Sequence, residues 1–212
     1  IIILEAGLGG RLDATTAHPS RPIIAIGGIG LDHCEHLGKN LEQITKEKAE
    51  VITPGSVVIS AQQHPHVAKV LEETVKRKNA KLKWVEPLDR EWELGIKGEI
   101  QRENAAVAKS ALEELSNHGF LLEKKNMRIG FSNAKWKGRL EIAFCDGFPV
   151  LLDGAHNPHA AKQLCKEREK WPGQGNGINW LLAIQSNKDG PLILKELIKQ
   201  NDMAWIMERD AE

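Results

Sequence analysis

The chain has 212 residues, 41% hydrophobic and 27% charged. That is enough apolar material for one large or two modest domains, and it resembles neither a disordered tail nor a disulfide scaffold. Lys and Arg number 29, as do Asp and Glu, for a formal net charge of zero, which argues against nucleic-acid binding through bulk charge; no apolar run reaches the roughly 18 residues of a membrane span.

The expected elements alternate between strand and helix. Ile1–Leu4 is an unbroken apolar run that reads as a buried strand, followed by the turn Gly7-Leu8-Gly9-Gly10. A first residue already inside a core strand is the expectation for a chain that continues upstream. Pro22–Ile29 is a second strand. Asn40–Val51 is a helix, stopped by Thr53-Pro54-Gly55, and Ser56–Ser60 is a third strand. His66–Lys78 is an amphipathic helix with Val67, Val70, Leu71 and Val75 on one face. Residues 80–98 read as short strands and loops, and Asn104–Leu115 as a helix closed by Asn117 and Gly119. Pro149–Asp153 is a strand. Asn157-Pro158 opens a helix, with Asn as N-cap and Pro in the first turn. A loop at Pro172–Gly177, strands at Trp180–Ile184 and Ala204–Met207 and a helix at Leu192–Gln200 complete the series. Such alternation implies an α/β fold with parallel sheets. The polar stretch Ser132–Lys137 places a domain boundary near residue 135. Three cysteines, Cys34, Cys145 and Cys165, have no CxxC spacing and fit a reduced, cytoplasmic setting. No obligate protein partner is evident.

Several residues sit where chemistry gathers in such folds, at the carboxyl ends of strands. Glu5 follows the first apolar run; a carboxylate there can hold a metal bound to phosphates, or it is a solvated turn residue. The GLGG turn is neither a dinucleotide fingerprint, with Leu12 in place of a third glycine, nor a phosphate-binding loop, with no Gly-Lys-Ser/Thr after it. His33, just past the second strand, is a packed residue or an unusual imidazole ligand for magnesium. Lys48 shares a helical face with Leu41, Ile44 and Ile52. An ammonium on an apolar face snorkels, pairs with an acid or is chemically modified. Asn104 is an ordinary N-cap, or a carboxamide able to read a purine edge. Arg139, Asp153 and His156 fall near the expected boundary and suit a phosphorylated ligand held between two domains.

Six stretches occur in order: LEAGLGGRLDAT (4–15), GLDHCEHLG (30–38), ITKEKA (44–49), QRENAAVA (101–108), GRLE (138–141) and LDGAHNPHAA (152–161). Together they resemble folylpolyglutamate synthase and dihydrofolate synthase, members of the Mur ligase superfamily. The resemblance implies that residues 1–134 are the C-terminal part of a P-loop-type ATPase domain with a parallel sheet. Residues 135–212 would then begin a Rossmann-like C-terminal ligase domain. The implied activity is ATP- and magnesium-dependent addition of L-glutamate to dihydropteroate or folate through an acyl phosphate. By the same resemblance Glu5 and His33 are magnesium ligands, and Lys48 is a lysine that becomes carbamylated and supports a metal. Asn104 contacts adenine, Arg139 reaches the ATP phosphates, and Asp153 and His156 contact the nucleotide. Departures from the family pattern are Thr16 in place of Asn, Glu50 in place of Gly, Ile100 in place of His and Lys137 in place of Pro. The family's phosphate-binding loop is expected upstream of Ile1, so residues 1–212 alone are expected to be inactive. Another Mur-type amide ligase and a non-catalytic nucleotide-binding remnant are the alternatives.

Overall fold

The computed structural model describes residues 1–171 and 177–207. The chain divides into two compact units, one ending at Trp136 and one starting at Lys137.

In the first unit, β1 (Ile23–Ile26), β2 (Val57–Ala61) and β3 (Lys81–Val85) form a parallel sheet in the order β1-β2-β3. Ile23 faces Val57 in register, and Val57 faces Lys81. Between β1 and β2 lie a short helix, α1 (Cys34–Leu37), and α2 (Leu41–Ala49); α3 (Pro65–Arg77) joins β2 to β3, and α4 (Glu99–Glu114) and α5 (Lys124–Asn133) follow. The period-2 alternation of strand side chains divides the apolar residues between the sheet's two faces. Ile24, Ile26, Val58 and Leu82 pack with Ile44, Val67 and Leu71 of α2 and α3. Ile23, Val57, Ile59, Ala61 and Val85 pack with Val107 and Ala111 of α4. The result is a three-layer sandwich in which every strand's carboxyl end lies on one edge.

Local chemistry explains the helix ends. The Asn40 side chain accepts from the Gln43 N–H and starts α2. α2 stops at Ala49, and the Glu50 carboxylate ties this end to α3, bonding Lys78 Nζ at 2.9 Å and Arg77 at 3.1 Å. Lys78 foremost holds the Glu50 carboxyl below its usual range. Glu50 thus faces α3. Thr16, the departure after Ala14-Thr15, donates its hydroxyl to the Asp13 carbonyl at 2.6 Å and closes a 3-10 turn.

The second unit contains β4 (Glu141–Cys145), β5 (Phe148–Leu152), α6 (Pro158–Glu167), β6 (Asn179–Leu182), α7 (Gly190–Leu197) and β7 (Met203–Ile206). β6 and β7 pair in parallel. Ala161, Trp180, Ile193 and Leu197 form the unit's buried core. Asp202 binds the parts together. Its carboxylate accepts two bonds from Arg168 at 2.5 and 2.6 Å, one from Trp180 Nε1 at 3.0 Å, and the N–H groups of Ile178 and Lys199. Arg168 foremost holds the Asp202 carboxyl far below the usual carboxylate range.

Four expectations are corrected. Ile1–Leu4 is not a strand: its side chains are exposed, Ile3 at 90%, and no described strand pairs with it. An apolar run becomes a strand only when a neighbour completes its backbone hydrogen bonds. α4 begins at Glu99, so Asn104 lies inside a helix rather than capping it; Gly98 is the N-cap. Helix α5 was not expected; its Met127 and Phe131 pack against Trp92 beside α4. Finally, β4 and β5 form an antiparallel hairpin rather than part of a parallel sheet. Asp146 and Gly147 at its tip both have positive φ, the backbone of a tight two-residue hairpin turn. The loop expected at Pro172–Gly177 lies, apart from Gly177, outside the described residues.

Candidate functional site

The carboxyl edge of the first sheet collects polar groups from three elements. β1 runs out into Gly27-Gly28-Ile29, and β2 into Gln62-Gln63. Gln63 Nε2 donates to the Gly27 carbonyl at 2.8 Å and to Ser60 Oγ at 3.0 Å, and its Oε1 accepts from the Ile29 N–H at 3.1 Å. Asn104 reaches the same place from α4. Its amide oxygen lies 3.7 Å from where a side chain on Gly27 would begin, and its amide nitrogen donates to Gln101 Oε1 at 3.1 Å. Asn104 is exposed, so its amide edge is open to a ligand.

His33 lies farther along the same loop. Its backbone is left-handed, with φ +49°, and its N–H bonds the Asp32 carboxylate. Its Nε2 lies 3.8 Å from the other Asp32 oxygen. His33 is half-buried, with its ring reachable from solvent.

The GLGG turn is held from within. Asp13 accepts from the N–H groups of Gly7 and Leu8 with one oxygen, and from the Thr15 N–H and hydroxyl with the other. These bonds, the Thr15 hydroxyl foremost, hold its carboxyl far below the usual range. Gly10 packs the turn against the last turn of α2: a Cβ there would fall 2.6 Å from the Glu47 carbonyl and 2.8 Å from that of Lys48. Glu5, before the turn, is exposed and has no hydrogen-bond partner among the described residues. Lys48 is half-buried one turn beyond the buried Ile44, with no acidic partner for its ammonium among the described residues; α2 ends at Ala49, so Ile52, expected on the same helical face, lies outside the helix.

In the second unit the loop after β5 folds back on the start of β4. Asp153 accepts the Leu140 N–H at 3.0 Å and the Ala155 N–H at 2.9 Å, and the Gly154 N–H bonds the Gly138 carbonyl. Arg139 lies over Gly154, where a Cβ would be 2.7 Å from its guanidinium. His156 Nδ1 contacts the Gly154 carbonyl at 2.9 Å. Arg139, Asp153 and His156, 17 positions apart at most in the chain, therefore meet around one glycine. Asn157 caps α6 through the Ala160 N–H.

The Glu5 carboxylate fits magnesium in kind, whereas the His33 imidazole is a softer donor than that ion prefers. Magnesium held largely by phosphate oxygens and water needs only one or two protein ligands, and Glu5 and His33 are open donors. Among the described residues no three His, Cys, Asp or Glu side chains converge as a metal cluster. Gly27 sets no side chain against the Asn104 amide oxygen, which lies 3.7 Å from where a Cβ would stand. Sequence reasoning missed Gln63; its signal was a carboxamide two positions past a strand. Within the first unit lies a hollow of about 560 Å³ lined by residues that include Val85, Leu88, Trp92, Lys109, Ser110 and Met127. The Ser110 hydroxyl there is buried without a hydrogen-bond partner among the described residues. No described helix is long and apolar enough to cross a membrane.

With this geometry in hand, comparison with known proteins is direct. The family described as dihydrofolate synthetase, C-terminal domain, matches residues 142–211. The probable dihydrofolate synthetase of Schizosaccharomyces pombe is 30% identical across 100% of this chain, which covers 58% of that protein. The dihydrofolate synthase/folylpolyglutamate synthase of Buchnera aphidicola subsp. Baizongia pistaciae is 32% identical across 93% of this chain and 48% of its own length. The structure of Mycobacterium tuberculosis folylpolyglutamate synthase complexed with ADP superimposes with a TM-score of 0.81 at 27% identity, over 95% of this chain and 50% of that one. The chain spans about half the length of the relatives it matches.

Proposed function

We propose, from the premise that this chain belongs to the dihydrofolate synthase/folylpolyglutamate synthase family, that its protein is a cytoplasmic ATP- and magnesium-dependent ligase. It adds L-glutamate to the carboxylate of dihydropteroate or a reduced folate. A carboxylate is a poor acyl donor, and phosphoryl transfer converts it into one with a good leaving group; fixed cationic groups stabilise the charge in transfer. In this reading Asn104 meets the adenine edge, and Arg139, Asp153 and His156 contact the nucleotide from the second unit's loop. Glu5 and His33 hold the magnesium, which would neutralise phosphate charge. Lys48, an ammonium without an acidic partner on an apolar face, is the group whose carbamylation would turn a poorly placed cation into an anion.

The observation that carries the reading is the carboxyl edge of the first sheet, where Gly27, Asn104 and the His33 loop lie on one side of the strands, as nucleotide sites of open α/β sheets do. ADP in the Mycobacterium relative supports it. The test uses the protein extended at its N-terminus: calorimetric titration of ATP with and without magnesium, followed by ATP consumption with L-glutamate and a pteroate or folate acceptor. Magnesium-dependent ATP binding and consumption that needs both co-substrates are expected. No ATP binding by the extended protein, or consumption indifferent to glutamate, refutes the reading.

A further inference from the structure

We propose that Gln63 is a positioning residue for this nucleotide site, one that acts through the loop joining Gly27 to His33; the proposal rests on the functional reading above. The paired register of β1 and β2 ends at Ile26 and Ser60. In a parallel ladder, one residue donates its N–H to, and accepts through its C=O from, the two residues flanking its partner. Gln63 reproduces this pattern with its side chain. Its Nε2 donates to the carbonyl of Gly27 at 2.8 Å and its Oε1 accepts from the N–H of Ile29 at 3.1 Å, on either side of Gly28. The carboxamide is thus a rung added to the ladder after the backbone has turned away toward α3.

The rung is anchored from below. The second amide hydrogen goes to Ser60 Oγ at 3.0 Å, and the Ser60 hydroxyl donates onward to the Ala61 carbonyl at 2.9 Å in the fully buried strand. The carboxamide's oxygen and nitrogen and the Ser60 hydroxyl each have a partner, so the carboxamide is held in one orientation. What it holds has two sides. Gly27 is the residue that Asn104 approaches, and Ile29 is buried in the core four positions before His33. One side chain therefore fixes the surface opposite the adenine contact and the base of the loop that carries the proposed metal ligand.

The test compares Gln63→Met, which keeps length and loses every bond, with Gln62→Met. Gln62 pairs with Glu86 at the exposed surface and serves as the neighbour control. Two quantities are read on the protein extended at its N-terminus: amide exchange at Ile29 by NMR, and the affinity for ATP with magnesium by calorimetry. We expect Q63M to speed Ile29 exchange about tenfold and to weaken ATP about fivefold, with Q62M indistinguishable from the unmodified chain on both. Q63M with ATP affinity within twofold of the unmodified chain overturns the proposal, as does unchanged Ile29 exchange. Should Q63M fail to fold, Gln63→Glu is read on ATP affinity alone, since it keeps the acceptor for Ile29 and loses both donors; a fall of about fivefold is again expected, and affinity within twofold overturns the proposal. Failure of the parent reading shows differently: the unmodified extended protein itself would not bind ATP, and the positioning role would fall with it.

Discussion

Replacing Gly10 with alanine tests the packing that joins the glycine turn to the helix of Lys48. The added Cβ would stand 2.6 Å from the Glu47 carbonyl oxygen, 2.8 Å from that of Lys48 and 2.9 Å from Val51 Cγ1. Two of the three obstacles are backbone atoms in the last turn of α2, which cannot swing aside as a side-chain tip does. The turn must instead retreat by a few tenths of an ångström, and overpacking of this kind costs about 1–3 kcal/mol. For a domain near this size each kcal/mol lowers the midpoint by roughly 3–5 °C. At the middle of that range, about 2 kcal/mol, a fall of about 6–10 °C in the first unit's thermal transition is expected, read by circular dichroism. Gly130 is the control. It lies in α5 with open space around the site of a Cβ, so Gly130→Ala should stabilise by about 1 kcal/mol through helix propensity. If Gly10→Ala melts with the unmodified chain while Gly130→Ala rises, the close approach is not real and the argument fails.

Three further outcomes follow from the same geometry. Asp202→Asn should destabilise the second unit by about 3–5 kcal/mol, because it removes the enclosed carboxylate that is the counter-charge of the half-buried Arg168. The folded-state carboxyl is depressed, so its contribution is present above the unfolded value near pH 4 and is lost as pH falls toward the folded value; the variant's acid-unfolding curve should be flatter in that window, and an unchanged curve counts against the pairing. Ser110→Ala removes a buried hydroxyl that lacks a partner and should be neutral or stabilising by about 1 kcal/mol in denaturant melts; a clear loss would mean that the hydroxyl is satisfied after all. Gly154→Ala collides only with the mobile tip of Arg139, so stability should hold within about 0.5 kcal/mol while ATP affinity falls about fivefold if that guanidinium meets phosphate.

The elements that local chemistry specifies were legible in the sequence. Asn157-Pro158 announces a helix start by capping alone, and Val67, Val70, Leu71 and Val75 mark the buried face of α3 without reference to anything distant. Asp146-Gly147 was equally local, and its two residues encode the hairpin that the α/β alternation concealed. Other features depend on neighbours remote in the chain. Whether Ile1–Leu4 is a strand is decided by what lies beside it, not by its apolar content. The early start of α4 depends on the 86–98 segment wrapping around it: Arg102 donates to the carbonyls of Leu88, Asp89 and Trp92, and Arg90 pairs with Glu99. Gln63 is the clearest case in the candidate site. Its three bonds reach up to 36 positions away along the chain, and no spacing rule brings a side chain after one strand to the backbone after another.

Of the six tryptophans, two are buried, and each unit has one of them. Trp92 is 2% exposed and ringed by Lys109, Lys124 and Arg128 at 4.7–5.6 Å; Trp180 is 8% exposed and donates its indole N–H to Asp202. The two indoles thus occupy unlike electrostatic surroundings, one facing cations and the other a carboxylate. Their emission should respond in different ways when their surroundings open, so a single fluorescence trace carries a separate optical signature for each half of the chain.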